Sequence, residues 1–111
     1  MSFIKSDQDK YSIITSNVEK LDASNAPELK AELVMINKNS VNNIILDLGK
    51  TKYCDSSGLS AILIGNRLCK DSSGQLIICG LQSNVKKLIQ ISQLDKVFVI
   101  TDDLDAAKNI L

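Results

Sequence analysis

The sequence predicts an α/β fold, in which a mixed sheet of four to five strands carries about four helices mainly on one face. Short apolar runs of strand length alternate with longer segments whose apolar residues recur every three or four positions. Strands that are separated by helices need crossover connections, so the centre of the sheet is expected to be parallel. The 111 residues, 44% of them hydrophobic, can fill one core, and we expect one domain over residues 1–111.

The strands are predicted from four short segments. Three of them are mostly continuous apolar runs, as is typical of central strands covered on both faces or packed beneath helices: Ile44–Leu48, Leu76–Cys79 and Val97–Ile100. Tyr11–Thr15 is predicted as a further strand near an edge of the sheet.

Three apolar stripes with helical spacing are also present. Their members are Ala26, Leu29, Leu33 and Ile36, then Leu59, Ile62 and Leu63, and then Val85, Leu88 and Ile89. Residue types that start helices are Ser24 or Asn25, then Ser56 or Ser57, then Ser83, and Asp102 before a short fourth helix. Pro27 also indicates a helix start, because the missing N–H of proline is not needed in the first turn.

The composition excludes several classes of function. Thirteen basic and thirteen acidic side chains cancel and there is no Trp, so neither a strong field nor a stacking platform favours nucleic acid. The absence of His excludes Ser-His-Asp and Cys-His catalysis and histidine-containing zinc sites. Cys54, Cys69 and Cys79 are widely spaced in apolar sequence, so we interpret them as core residues and expect no disulfide, metal or cofactor.

The sequence shows no targeting or membrane-spanning segment. Met1 to Lys10 is polar and lacks the apolar stretch of a secretory signal, and no other run approaches the length of a membrane span. We therefore expect a cytoplasmic protein without membrane insertion.

The segment Asp55-Ser56-Ser57-Gly58-Leu59 carries the functional hypothesis. It connects a strand region to an amphipathic helix, where open α/β sheets commonly place their sites. The same four residue types recur at Asp71 to Gly74, where they follow a helix and indicate only a helix-ending turn with Gly74 as the left-handed residue. The placement at a helix N-terminus therefore distinguishes the first copy.

A phosphate on Ser56 would meet the unpaired N–H groups and the positive dipole of that helix N-terminus. It would add a charge of about −1.5 to −2 beside Asp55, and a partner that fits the neutral hydroxyl would be released. The alternative is structural: Asp55, Ser56 and Ser57 cap the helix, and Gly58 allows a close backbone approach. Placement alone favours this capping interpretation.

A family resemblance favours the switch. The run from Cys54 to Leu63, with Ile44–Leu48 before it, resembles the signature of bacterial anti-sigma factor antagonists, which are STAS domains. Leu21-Asp22-Ala23 and Ala26–Leu29 are similar to that family's second strand and first helix, and Gly74–Gly80 and Val85–Ile89 to its fourth strand and third helix. The resemblance covers roughly residues 11 to 101. It implies a single STAS domain over residues 1–111 that binds proteins and is not an enzyme.

The resemblance also implies a mechanism and a set of site residues. In the family, a partner anti-sigma factor with a histidine-kinase-like ATPase fold phosphorylates the serine after the aspartate, and a PP2C-type phosphatase removes the phosphate. That serine corresponds to Ser56. The partner-binding residues carried over by position are Asp22, Asp55, Ser56, Ser57, Gly58 and Leu59. The unmodified form, a monomer or weak dimer, would bind the kinase.

Three alternatives were compared with this hypothesis. The chain could be a constitutive STAS scaffold, or a lipid- or anion-transport subunit, whose serine is never phosphorylated. An enzyme would need Ser56 or Ser57 as nucleophile with Asp55 or a lysine as base, and no imidazole exists to take the proton. Gly49-Lys50-Thr51 resembles the end of a phosphate-binding P-loop, but Ile44 occupies the place of its first glycine, so that motif is rejected.

Overall fold

The computed structural model describes residues 2–111. The strands of this part of the chain are β1 (Phe3–Asp7), β2 (Ser12–Ser16), β3 (Lys20–Leu21), β4 (Ile44–Asp47), β5 (Tyr53–Cys54), β6 (Leu76–Cys79) and β7 (Val99–Thr101). The α-helices are α1 (Ala26–Lys38), α2 (Ser56–Asp71), α3 (Ser83–Ile91) and α4 (Leu104–Ile110), and a short 3-10 helix spans Leu94–Lys96. None of these helices is long and apolar enough to cross a membrane.

Five strands form the main sheet in the order β1-β2-β4-β6-β7. The β1–β2 pair is antiparallel, and the three other pairs are parallel. The predicted mixed sheet with a parallel centre is therefore confirmed. Because each parallel connection contains a helix, the sheet needs the crossovers that the alternating sequence pattern indicated.

Helices cover the two faces of this sheet unequally. α1, α2 and α3 contribute to the larger core, which contains Ile44 and Leu46 from the central strand β4. On the other face, Ile45 of the same strand packs in a smaller cluster with Ala107 of α4. Successive residues of β4 thus enter opposite cores, which explains why Ile44, Ile45 and Leu46 are all apolar.

Two strands of the main sheet differ from the sequence prediction. β1 was not predicted, because it lies at the edge, only Phe3 of its five residues is buried, and its last three residues are polar. The predicted strand Tyr11–Thr15 is β2, which lies next to that edge. The predicted Val97–Ile100 strand begins only at Val99, because the backbone of Val97 and Phe98 still hydrogen-bonds to Leu94 of the preceding 3-10 helix.

The predicted helix starts are correct to within one residue, but several capping residues differ. Asn25 holds the N-cap position of α1, as one of the two predicted candidates. α2 is capped by Asp55 and not by a serine, and α4 is capped by Asp103 and not by Asp102. Both aspartates accept a hydrogen bond from the backbone N–H three residues on, which a carboxylate does well. Gln82 occupies the N-cap position of α3, and Ser83 is its first residue.

The turn after α2 also differs in detail. Ser73, with φ of 66°, is the left-handed residue, and Gly74 is not. Gly74 is needed for another reason: a side chain there would overlap the carbonyl of Asn42.

Candidate partner-binding site

A small two-stranded sheet outside the main sheet positions the predicted site. β3 and β5 pair in parallel, with Lys20 opposite Tyr53 and Leu21 opposite Cys54. The backbone N–H of Asp55 donates to the carbonyl of Leu21 at 3.1 Å, which extends this pairing by one step. Because the two strands run parallel, the residues that follow them, Asp22 and Asp55, lie side by side at their carboxyl ends.

Asp55 fixes the start of α2. Its backbone is extended, and its Oδ1 accepts a hydrogen bond from the N–H of Gly58 at 3.1 Å. Ser56 is therefore the first helical residue, and its side chain is exposed. Within residues 2–111, the backbone N–H groups of Ser56 and Ser57 have no hydrogen-bond acceptor, so two donors at this helix end remain open.

Gly58 brings the first turn of α2 against β3 and β5. A Cβ at this position would lie 2.6 Å from Sγ of Cys54 and 2.8 Å from both Cγ and the carbonyl oxygen of Leu21. The side chain of Leu59 is 8% exposed and belongs to the main core. Of the predicted contact residues, Gly58 and Leu59 thus point inward and hold the helix in place, whereas Ser56 is exposed and Ser57 is half-buried.

Asp22 lies in a loop held by short hydrogen bonds. Its Oδ1 accepts from the N–H of Ser24 at 3.0 Å and from the hydroxyl of Ser24 at 2.6 Å. These bonds from the Ser24 hydroxyl and N–H lower the pKa of Asp22, so the carboxylate is charged at neutral pH. Asn25 accepts from the N–H of Asp22 at 3.0 Å and donates to the carbonyl of Lys20 at 2.8 Å, which connects the loop to β3.

A shallow groove of about 380 Å³ lies beside the start of α2. It is lined by Lys20, Leu21, Asp22, Tyr53, Cys54 and Asp55. Tyr53 is 48% exposed, and Nζ of Lys20 lies 6.0 Å from the centre of its ring. Burial, together with the neighbouring Asp55 charge, raises the pKa of Cys54 to about 12, so its thiol is not a nucleophile at neutral pH.

Tyr53 and Lys20 also line this groove, and neither was among the predicted site residues. Both belong to two-residue strands that are too short to show any periodicity. The available signal was an aromatic residue two positions before the aspartate of the motif, on a segment too polar to be core. Only the β3–β5 pairing shows that it lies beside Lys20.

The second Asp-Ser-Ser-Gly segment has a different environment. Ser72 follows the last residue of α2, and its hydroxyl donates to the carbonyl of Leu68 at 2.9 Å. The backbone N–H groups of Ser72, Ser73 and Gly74 donate to carbonyls of the last turn, so this helix end has no open backbone donor among them. The two copies of one tetrapeptide therefore offer opposite electrostatics at the two ends of the same helix.

The described residues contain no group of three or more His, Cys, Asp or Glu side chains positioned to hold a metal ion. The site instead combines an exposed hydroxyl, two open N–H donors, two carboxylates and an exposed aromatic ring. Such a surface is suited to protein recognition, in which an exposed aromatic ring and a few polar groups supply specificity.

The fold and this serine-bearing helix start define the class of small protein-binding α/β domains with helices mainly on one face of a mixed sheet. The family model of the STAS domain matches residues 6–107, and the chain belongs to the STAS domain family. The predicted resemblance to anti-sigma factor antagonists is confirmed by its relatives.

BtrV of Bordetella bronchiseptica, named as an anti-sigma factor antagonist, is 29% identical over 87 residues, which is 78% of this chain and 75% of BtrV. A Thermotoga maritima protein also described as an anti-sigma factor antagonist superposes with a TM-score of 0.86 at 21% identity, covering 96% of this chain and 92% of that one. The Bacillus protein SpoIIAA, solved in its phosphorylated form, superposes with a TM-score of 0.76 at 18% identity, covering 98% and 99%. The two structural likenesses show the shared fold.

Proposed function

We propose that this protein is an anti-sigma factor antagonist switched by phosphorylation of Ser56. The unmodified form binds a histidine-kinase-like anti-sigma factor, that partner phosphorylates Ser56 with its own ATP, and the complex then dissociates. A PP2C-type phosphatase restores the binding form. The protein acts in the cytoplasm as one STAS domain, a monomer or weak dimer, and has no enzymatic activity of its own. The observation that carries the proposal is the exposed Ser56 hydroxyl at the first position of α2.

The cap geometry supports a switch over a purely structural serine. Asp55 is the residue that caps α2, and the Ser56 hydroxyl forms no hydrogen bond to any described residue. The capping alternative therefore explains Asp55 but gives Ser56 no role in the fold. An exposed hydroxyl without a structural role is accessible to a kinase.

A phosphate at Ser56 fits the helix start without unfolding it. The open N–H groups of Ser56 and Ser57 can donate to its oxygens, and the helix dipole favours its charge. Asp22 and Asp55 with Lys20 give the adjoining groove a formal charge of −1. A phosphate of about −1.5 to −2 makes this roughly −3. The modification thus changes the charge of the surface while the backbone stays in place.

This charge is large enough to release a partner. A buried anion that meets no counter-charge, or meets a like charge, costs several kcal/mol at an interface. Because about 1.4 kcal/mol corresponds to a tenfold change in Kd, a penalty of about 3 kcal/mol weakens binding roughly a hundredfold. The names of the relatives support this mechanism: BtrV is named as an antagonist, and SpoIIAA has been solved in both unphosphorylated and phosphorylated forms.

The test is a pull-down from host lysate with wild-type protein, Ser56→Ala and Ser56→Asp, with bound proteins identified by mass spectrometry. We expect wild type and Ser56→Ala to retain a histidine-kinase-like ATPase, and Ser56→Asp to lose it. Incubation of that ATPase with labelled ATP should modify wild type and leave Ser56→Ala unmodified. Thermal unfolding should show that Ser56→Asp is folded, because an acid in the first helical turn changes stability by only about 0.3–1 kcal/mol.

Ser73→Asp is the matched control. Ser73 belongs to the second Asp-Ser-Ser-Gly segment, is exposed, and lies beyond the opposite end of α2 in a left-handed conformation that aspartate tolerates. It adds the same charge beyond the opposite end of α2, 16 residues or about 24 Å along the helix from Ser56, and should leave the Ser56-dependent binding unchanged. If Ser56→Asp retains the same proteins as wild type and no such ATPase is among them, the protein is a constitutive scaffold or a transport subunit.

A further inference from the structure

The outward side of α1 is unusually apolar for an exposed helix. Its core side is formed by Ala26, Leu29, Leu33 and Ile36. The opposite side nevertheless carries exposed Pro27 and Ala31, half-buried Val34, and Met35 with 57% of its side chain exposed. Packing within the domain does not account for this second apolar strip, since an amphipathic helix needs only one.

This strip borders a groove that begins between α1 and α2 and continues along α1. Pro27 is its one member that lines the upper part, and all four members line the lower part, whose lining residues belong to α1. The upper part of the groove, about 420 Å³, lies between the two helices and is lined on the α2 side by Ser57, Ser60, Ala61 and Ile64. A lower part of about 470 Å³ continues along α1 past Val34 and Met35. The upper part begins next to Ser56, so the groove adjoins the proposed switch.

Charge along the groove is of one sign. Lys30 lines both parts and Lys38 lines the lower end, and neither lysine forms an ion pair within the described residues. The acidic residues of α1, Glu28 and Glu32, do not line it. The protein as a whole has no net charge, so the positive charge of Lys30 and Lys38 beside the apolar groove residues is a local excess and does not reflect the overall composition.

We propose that the groove between α1 and α2 binds an acidic amphipathic helix of the protein partner, with apolar side chains against Ile64, Val34 and Met35 and carboxylates near Lys30 and Lys38. An amphipathic helix in a groove is a common mode of protein recognition. The proposal rests on the proposed function only in that the occupant belongs to the same partner. It adds a second contact, continuous with Ser56, that selects the partner by charge.

A second copy of this chain fits the groove less well. α1 spans 13 residues, about 20 Å, and one helix face of that length and about 10 Å width offers roughly 200 Å². A stable dimer buries about 800 Å² on each partner. Pairing α1 with another α1 would cover the lower part of the groove, but it would leave the upper part between α1 and α2 empty and would bring lysines of the two copies onto the same surface.

The test uses Met35 as a reporter. The chain contains only two methionines, so selective ¹³C labelling of methionine methyl groups gives one signal inside the groove. The probe is a synthetic helical peptide of about 14 residues, matched to the length of α1, with leucines at helical spacing and glutamates beside them. A second peptide carries lysines in place of the glutamates.

We expect the acidic peptide to shift the Met35 methyl signal saturably, with a Kd below about 1 mM, and the basic peptide not to do so. Lys30→Glu combined with Lys38→Glu should weaken the acidic peptide about tenfold and allow the basic peptide to bind. Lys86→Glu with Lys87→Glu on α3 is the matched control and should change neither affinity. All four lysines are exposed, so these variants should fold.

Four results would overturn the proposal. They are no Met35 shift at about 1 mM acidic peptide, equal affinity for both peptides, a shift that depends on protein concentration alone, and a shift with phosphatidylserine vesicles but not with peptide. The last two would indicate self-association and a membrane surface, respectively. None of these peptide experiments changes Ser56, so they test the groove proposal separately from the phosphorylation switch. If Ser56→Asp releases the ATPase but the acidic peptide does not bind, the groove proposal is wrong and the switch proposal stands.

Discussion

Replacing Gly58 by Ala tests whether the close approach of α2 to β3 positions the site. The added Cβ would meet Sγ of Cys54 at 2.6 Å and the Cγ and carbonyl oxygen of Leu21 at 2.8 Å. Leu21 is fully buried, and its carbonyl already accepts the N–H of Asp55, so neither group can move without disturbing the β3–β5 pairing. The first turn of α2 must therefore shift outward, and Ser56 with it.

The expected cost follows from two opposing effects. Overpacking against rigid neighbours costs about 1–3 kcal/mol, whereas Gly to Ala within a helix gains at most about 1 kcal/mol. Because one of the three neighbours is backbone, we expect a net loss of about 2 kcal/mol in the free energy of unfolding. For a domain of this size that lowers Tm by about 8 °C.

The assay is urea unfolding of Gly58→Ala, with Gly49→Ala as the matched control. A Cβ at Gly49 would meet only Oδ1 of Asp47, at 3.1 Å. This oxygen accepts the N–H of Gly49 at 2.9 Å, but it needs to shift by only a few tenths of an ångström, and no backbone atom is in the way. Adding Cys54→Ala to Gly58→Ala removes one of the three contacts, so it should restore only part of the loss. If Gly58→Ala lies within about 0.5 kcal/mol of wild type and of Gly49→Ala, the proposed packing role of Gly58 is wrong.

Three further predictions concern stability. Asp55→Ala should lower the free energy of unfolding by about 1 kcal/mol and Asp55→Asn by much less, because the amide oxygen can still accept the N–H of Gly58; equal losses in urea unfolding would contradict the cap. Asn66→Leu should raise stability by about 1 kcal/mol in the same assay, because Oδ1 of Asn66 is buried without a hydrogen-bond partner among the described residues, and a lower Tm would show that its amide is needed. Burial raises the pKa of Cys69 to about 11 and of Cys79 to about 12, so only the unfolded chain loses these protons near pH 9. Stability should therefore be full below about pH 9 and fall as pH rises towards 11, by up to about 1.4 kcal/mol per pH unit for each thiol, and Cys79→Ala should reduce that slope.

The main strands and helices could be predicted from the sequence because each carries its own periodic signal. β6 is a continuous apolar run, β4 is apolar up to Asp47, and the stripe from Leu29 to Ile36 has helical spacing, so their types follow from local pattern alone. The candidate phosphorylation site could be predicted for a related reason. Its Asp-Ser-Ser-Gly motif stands at the start of an amphipathic helix, whereas the second Asp-Ser-Ser-Gly segment stands at the end of that helix. These signals are short-range, and each requires only a few neighbouring residues.

The edge strand and the small sheet could not be predicted in this way. β1 has only one buried residue and no continuous apolar run, and β3 and β5 are each only two residues long. Their pairing joins residues 33 positions apart, such as Lys20 and Tyr53, and it produces no recognisable pattern in the sequence of either segment. The groove beside the helix start, with Tyr53 and Lys20, therefore exists only in the folded chain.

The sequence by itself determined the fold class, the order of the main elements and the position of the motif, because periodicity and the residue types at helix ends are local properties. Only the tertiary structure decided what each residue of that motif does. It turned Gly58 inward against Leu21 and Cys54, and in that arrangement the Asp55 carboxylate accepts the N–H of Gly58 and Ser56 stays exposed. The same holds for the groove between α1 and α2, which belongs to neither helix alone and results from the way the two pack.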